Sequence, residues 1–238
     1  MNCREIFNTI YEKDLPKVIY RTKYMLPKIA KELMKERRFP AWRICEYIVP
    51  ESGFKYNLCF YAEFPVNAYS PTNMHYCIMD TDGGKAIIRA IKGQCIKPDG
   101  VLAELRQVHL YTYHFLEQYN KRFINNDALS HDEIACIFSC RNKIITPTRM
   151  NEKVNKNYKK HGEFNSHIYE VRDGVCFART AFEKAEDEHS NLIPGDEGSL
   201  LVIYTTFMNK DDMCDEQLQG IDEEQQILFE SIREIYHK

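Results

Sequence analysis

The residues best equipped for chemistry lie together in RQVHLYTYHFLEQYNKRFINND, positions 106–127. His109 and His114 are its histidines, and Lys121 and Arg122 form a Lys-Arg pair within it. Read as a strand running into a helix that starts near Tyr113, the stretch alternates Gln107, His109 and Tyr111 with Val108 and Leu110. On the helix, His114, Gln118 and Lys121 or Arg122 share one face, opposite Phe115, Leu116, Tyr119 and Phe123. Both imidazoles are then expected to open onto one polar surface beside two cations. Histidine titrates near neutrality, so one imidazole can take the proton of a ribose 2′-hydroxyl while a second group protonates the leaving oxygen. Arg or Lys would stabilise charge on the phosphorane. That is the chemistry of RNA cleavage without a metal.

A second candidate is electrostatic. Residues 141–161 carry seven Lys/Arg against Glu152 alone, and Lys153, Lys156, Lys159 and Lys160 are its phosphate-binding candidates, for RNA or DNA. Residues 1–40 are also basic, with ten Lys/Arg against five Asp/Glu. Residues 183–238 reverse the sign, with fifteen Asp/Glu against four Lys/Arg, a surface for a protein partner or a shield for the basic segment.

Other chemistries lack their residues. There is no Gly-rich Lys-Ser/Thr loop for nucleotide phosphates, no paired helical histidines flanking a glutamate and no serine nucleophile elbow. Cys136 and Cys140 stand four apart with His131 upstream, which is not the Cys-x-x-Cys knuckle of a zinc site. His161-Gly162-Glu163 has no Pro-Cys-x-x-Cys partner, as a deaminase zinc site requires. Asp80 and Asp82 belong to a turn, where Asp serves the backbone. Neither a metal site nor a cofactor is expected.

The elements that must position these groups are legible in outline. Apolar residues from Val18 to Met34 recur at helical spacing, with Pro27 expected to kink or split the helix and Pro40 to end it. YNLCFYAEF (56–64) and MHYCIM (74–79) read as strands, and the Asp-Gly-Gly turn at 82–84 as a hairpin into KAIIRAIKGQCI. A turn at KPDG (97–100) precedes VLAELRQVHLY, whose first half is read as helical. Thr112 is placed as the cap of a helix to about Ile124, and Ser130 with Glu133 as a capping box for the next one. Residues 141–165 read as an extended loop. Asp173-Gly174 marks a second hairpin, SLLVIYTTF (199–207) a buried central strand, and the chain from Asp211 onward amphipathic helix.

These elements give an α+β class: a mostly antiparallel sheet of five to seven strands with N-terminal, central and C-terminal helices. At 238 residues and 44% hydrophobic, a single domain over 1–238 is expected, with 1–40 a helical segment and 208–238 an acidic helical segment of it. No run of eighteen apolar residues occurs, and charges stand where a signal peptide needs an apolar core. With Cys59, Cys77, Cys95 and Cys176 inside apolar segments, reduced thiols, a cytoplasmic location and no membrane partner are expected.

The order YTYHFLEQYNKRF, a Gly-turn hairpin and a late IYTTF strand resembles the layout of the barnase/EndoU/colicin/RelE-like nucleases of bacterial toxins and phage proteins. The resemblance implies His114 as base, Arg122 as phosphate ligand and Thr205 or Thr206 as a late hydroxyl. The long N-terminal helices and the acidic C-terminal helices lie outside it. The sequence reading therefore puts first an interaction protein, phage- or mobile-element-borne, that binds a nucleic acid or a protein. A metal-independent ribonuclease using His109, His114, Arg122 and Thr206 stands second.

Overall fold

Runs of alternating or continuous apolar residues separated by tight turns build a long meander. In the computed structural model, which describes residues 1–81, 84–96, 102–149, 152–155, 167–183 and 198–236, β1 (Ala41–Ile48), β2 (Lys55–Ala62), β3 (Thr72–Thr81), β4 (Gly84–Ile96) and β5 (Leu102–Thr112) pair antiparallel in sequence order. Thr81 opposes Gly84, and Asp82 and Gly83 of the expected turn lie outside the described residues. Gly84 has φ +102°, a conformation that a side chain disfavours. The chain then crosses to the far edge and returns through β6 (Thr146–Arg149), β7 (His167–Val171), β8 (Gly174–Glu183) and β9 (Ser199–Met208). β9 lies parallel to β5, with Arg106 opposite Ser199 and Tyr111 opposite Tyr204. The strand order is β1-β2-β3-β4-β5-β9-β8-β7-β6.

Helices cover both faces, so the central strands are buried on both sides. On one face lie α1 (Cys3–Phe7), a π-helical turn at Asn8–Asp14 and α2 (Leu15–Leu33), packing Phe7, Val18, Ile29 and Leu33 against Leu58, Phe60, Cys77, Ile88 and Val108. On the other lie α3 (Tyr113–Tyr119) and α4 (His131–Arg141) against Cys59, Tyr61, Tyr76, Ile87, Tyr111 and Tyr204. Every residue of α4 from Ile134 to Cys140 is buried, as in a helix enclosed on all sides. α5 (Glu152–Asn155) and α6 (Asp215–Tyr236) complete the chain, with Met213 and Ile221 covering Ile168, Val175 and Phe177.

The local signals hold where they are local. Thr112 accepts the Phe115 amide at 3.1 Å, and Ser130 and Glu133 form the capping box. Val171 opposes Gly174 across the Asp173-Gly174 hairpin, and SLLVIYTTF is the interior strand β9. The expected five to seven mostly antiparallel strands become, among the described residues, a mixed sheet of nine, because AWRICEYI and TPTR also pair as β1 and β6 and β5 meets β9 in parallel. The first half of VLAELRQVHLY is strand, paired with β4 from Leu102 onward. α2 runs through Pro27 unsplit and ends at Leu33, well before Pro40. The supposed loop from 141 onward contains β6 and α5. A bulge in β9 opposite Phe177/Ala178 shifts the inward phase from Val202 and Tyr204 to Phe207.

Among the described residues eight cysteines are free thiols, with Cys59, Cys77 and Cys176 buried; the Cys95 side chain lies outside them. No described helix is long and apolar enough to cross a membrane.

Candidate nucleic-acid interface

α2 buries Val18, Thr22, Ile29, Ala30 and Leu33 and turns the opposite stripe outward. At 100° per residue, Lys17, Tyr20, Arg21, Tyr24, Lys28 and Lys31 fall within an arc of about 100°. Tyr20 is 74% exposed and Tyr24 70%, so two phenol rings stand in solvent among four cations. Arg21 sits over the Tyr24 ring at 5.7 Å, a cation–π contact that holds both. Glu32 and Glu36 are engaged elsewhere, by Arg43, while Glu51 pairs with Lys17 at the head of the stripe at 2.6 Å. Lys28 and Lys31 form no ion pair among the described residues. At the head of the stripe, Pro16, Lys17, Tyr20, Arg21 and Tyr47 of β1 line an open groove of about 410 Å³. Cations spaced along a surface with exposed rings between them suit phosphates and unstacked bases. The signal was available in the sequence as helical spacing of Lys and Tyr, but the basic count of residues 1–40 hid it.

The two histidines of 106–127 do not share a surface. Because β5 lies between β4 and β9 under helices on both faces, Val108 and His109 are both buried, the imidazole 3% exposed. Its Nε2 lies 2.7 Å from Gln107 Oε1 and its Nδ1 2.9 Å from the Tyr204 hydroxyl. With Gln107 presenting Oε1, Nε2–H donates to the amide and Nδ1 accepts from Tyr204. Burial, assisted by the Arg89 cation, pushes this imidazole down from 6.5 to about 3, so it stays neutral. The rings of Tyr111, Tyr169 and Tyr204 surround it at 5.5 to 6.5 Å. Gly93 makes the room, since a Cβ there would stand 1.9 Å from Gln107 Nε2.

His114 lies on α3 with its side chain 66% exposed, 3.9 Å from Glu117, which also meets His131 at 3.2 Å. His131 stacks on Tyr113 at 4.2 Å, giving a surface cluster separate from His109. Arg122 donates through Nη1 to the Phe207 carbonyl at 2.8 Å and so closes the end of β9. Thr206 precedes Phe207 and projects from the opposite face of that strand, while Thr205 bonds the Phe177 carbonyl at 3.1 Å in the bulge. Lys153 is ion-paired with Glu223 of α6 at 2.6 Å, so the acidic helix meets the basic segment there. Lys156, Lys159 and Lys160 lie outside the described residues.

The densest polar cluster among the described residues was not foreseen. Asp173, 7% exposed, accepts from Arg141 through Nε and Nη2, from Asn142 at 3.0 Å and from the Tyr119 hydroxyl at 2.6 Å. Arg141 also reaches Glu63, which Arg172 pairs at 2.8 Å. Each charge meets an opposite one, so the cluster ties α3, α4, the end of β2 and the β7–β8 turn together. No group of three metal-binding side chains occurs among the described residues.

Compared with protein-family models, curated proteins and solved structures, the chain matches none.

Proposed function

We propose that this protein binds single-stranded nucleic acid along the exposed face of α2. The carrying observation is the stripe of Arg21, Lys28 and Lys31 interleaved with Tyr20 and Tyr24, ending in the groove beside Tyr47, where Lys17 is paired with Glu51. Lysine and arginine at successive turns follow a phosphate backbone, and the two exposed rings offer stacking platforms for bases that a duplex keeps inside. The reading rests on Arg21, Lys28 and Lys31 rather than on the paired cations, since Lys17 meets Glu51 as Lys153 meets Glu223.

Fluorescence anisotropy with short labelled single-stranded RNA and DNA tests the reading. Binding should weaken with salt, by a log–log slope of roughly 0.7 for each phosphate contacted. Arg21→Glu, Lys28→Glu and Lys31→Glu together should abolish it. Absence of binding at low salt, or binding that the triple variant retains, would overturn the reading; capture on anionic lipid vesicles in its place would assign the stripe to a membrane surface.

A further inference from the structure

A second set of exposed rings and cations lies beyond the C-terminal end of α2. The short 3-10 helix Pro65–Tyr69, between β2 and β3, leaves Phe64, Val66 and Tyr69 each more than half exposed. The turn itself is fixed. Asn67 Oδ1 accepts the Phe64 amide at 3.0 Å, and the Asn67 amide donates to the Phe64 carbonyl at 2.9 Å. Ala68 is buried in the core that also holds Ile29 and Leu33 of α2. Apolar side chains left in solvent on a rigid turn contribute little to the fold, and a group of them marks a surface that meets a partner.

Cations stand at the same end of the sheet. Residues 34–40 enter it at Ala41 and residues 63–71 leave it at Ala62, and those two residues oppose each other. The C-terminal end of α2 lies there as well, since Arg43 of β1 meets Glu32 and Glu36 and the 3-10 helix packs against α2 itself. Lys35, Arg37 and Arg38 are exposed and form no ion pair among the described residues. The carboxylates beside them in the chain or on the turn, Glu36 and Glu63, are taken by Arg43, Arg141 and Arg172. Unpaired cations with exposed rings repeat the chemistry of the α2 stripe, phosphate contact and base stacking together. Resting on the single-strand reading, we infer that Phe64 and Tyr69 form a second stacking platform, with Lys35, Arg37 and Arg38 holding the phosphates that reach it. One strand then runs the length of α2, from the groove beside Tyr47 past Lys28 and Lys31 to the turn. The partner is a long unpaired strand rather than a free nucleotide or a short overhang. A lipid surface fits less well, because three apolar side chains on one bonded turn lack the broad apolar face with which an interfacial helix enters a membrane.

Fluorescence anisotropy with unstructured single strands of about 4 to about 16 nucleotides tests the platform. Wild-type affinity should rise about tenfold or more over that range, as one further stacked base supplies, and Phe64→Ala with Tyr69→Ala should remove the rise. Both side chains are exposed, so the double variant keeps its fold, which an unchanged Tm verifies. Arg37→Gln with Arg38→Gln should lower the log–log salt slope on the longest strand by about 1.4, two phosphate contacts at roughly 0.7 each. The inference is overturned if long strands bind no tighter than short ones, or if the Phe64 and Tyr69 variant keeps the rise; loss of capture on anionic lipid vesicles in its place would assign the turn to a membrane surface. The α2 reading fails on a different result, a triple variant at Arg21, Lys28 and Lys31 that binds short strands as tightly as wild type. Binding at no length overturns both.

Discussion

The hydroxyl of Tyr204 lies 2.9 Å from Nδ1 of His109, and this bond crosses the parallel seam where the last strand of the chain meets the last strand of the first meander. Both partners are buried, so neither has water to replace the other. Tyr204→Phe should cost about 1–3 kcal/mol, the price of an unmet buried acceptor, read from the shift of the urea midpoint at constant m-value. An unchanged midpoint would show that Nδ1 finds another donor.

Stability should fall with acid through two histidines. The imidazoles of His109 and His75 are pushed down from 6.5 to about 3 and about 4, mainly by burial, with the Arg89 cation adding to it. Each binds fewer protons folded than unfolded in that window. Their contribution is therefore complete above about pH 6.5 and lost as pH falls, at up to about 1.4 kcal/mol per pH unit for each group. Urea unfolding between about pH 7 and pH 5 measures the slope. His109→Gln should flatten it, and a slope identical to wild type would count against a buried neutral imidazole.

Gly93→Ala should act through Gln107. The added methyl meets the Gln107 amide, which must swing away and release Nε2 of His109. A loss of about 1–3 kcal/mol is expected, and a double-mutant cycle with Gln107→Ala should show the two changes strongly non-additive. Simple additivity would separate Gly93 from the histidine.

Asp173→Ala should be the most damaging single change in the polar cluster. It leaves Arg141, Asn142 and Tyr119 facing an absent acceptor in the interior. Removing one partner of such a pair costs about 3–5 kcal/mol. Far- and near-ultraviolet circular dichroism through a denaturant series would show it; a loss below about 1 kcal/mol would mean the cluster is solvated.

His114→Ala, by contrast, should leave both the fold and nucleic-acid binding as they are. The imidazole is exposed on α3, across the sheet from α2. A drop in RNA affinity in that variant would relocate the interface.

What could be read from the residues was local. Thr112, the Ser130–Glu133 box and the Asp173-Gly174 turn declare themselves because a cap or a tight turn is decided within four residues. β1 escaped because AWRICEYI mixes charge with apolar residues on an edge strand, where one side is open. The burial of His109 escaped for the opposite reason. Alternation assigns a residue to a face, but only the arrival of β9 beside β5 and of helices above decides whether that face is wet. The Arg141–Asp173 pair spans 32 positions, and no spacing rule connects them.

The place of β9 has a consequence for how the protein comes into being. A strand near the end of the chain lies in the interior of the sheet, so the outer flank of β5 has no neighbour until residues 199–208 have been made. During synthesis the first five strands present an unprotected margin of amides and carbonyls, open to the wrong chain as well as the right one. Assembly must wait for a contact between Tyr111 and Tyr204, and such long-range closure makes for slow folding. The two halves are separate hairpin stacks until that last strand slides between them.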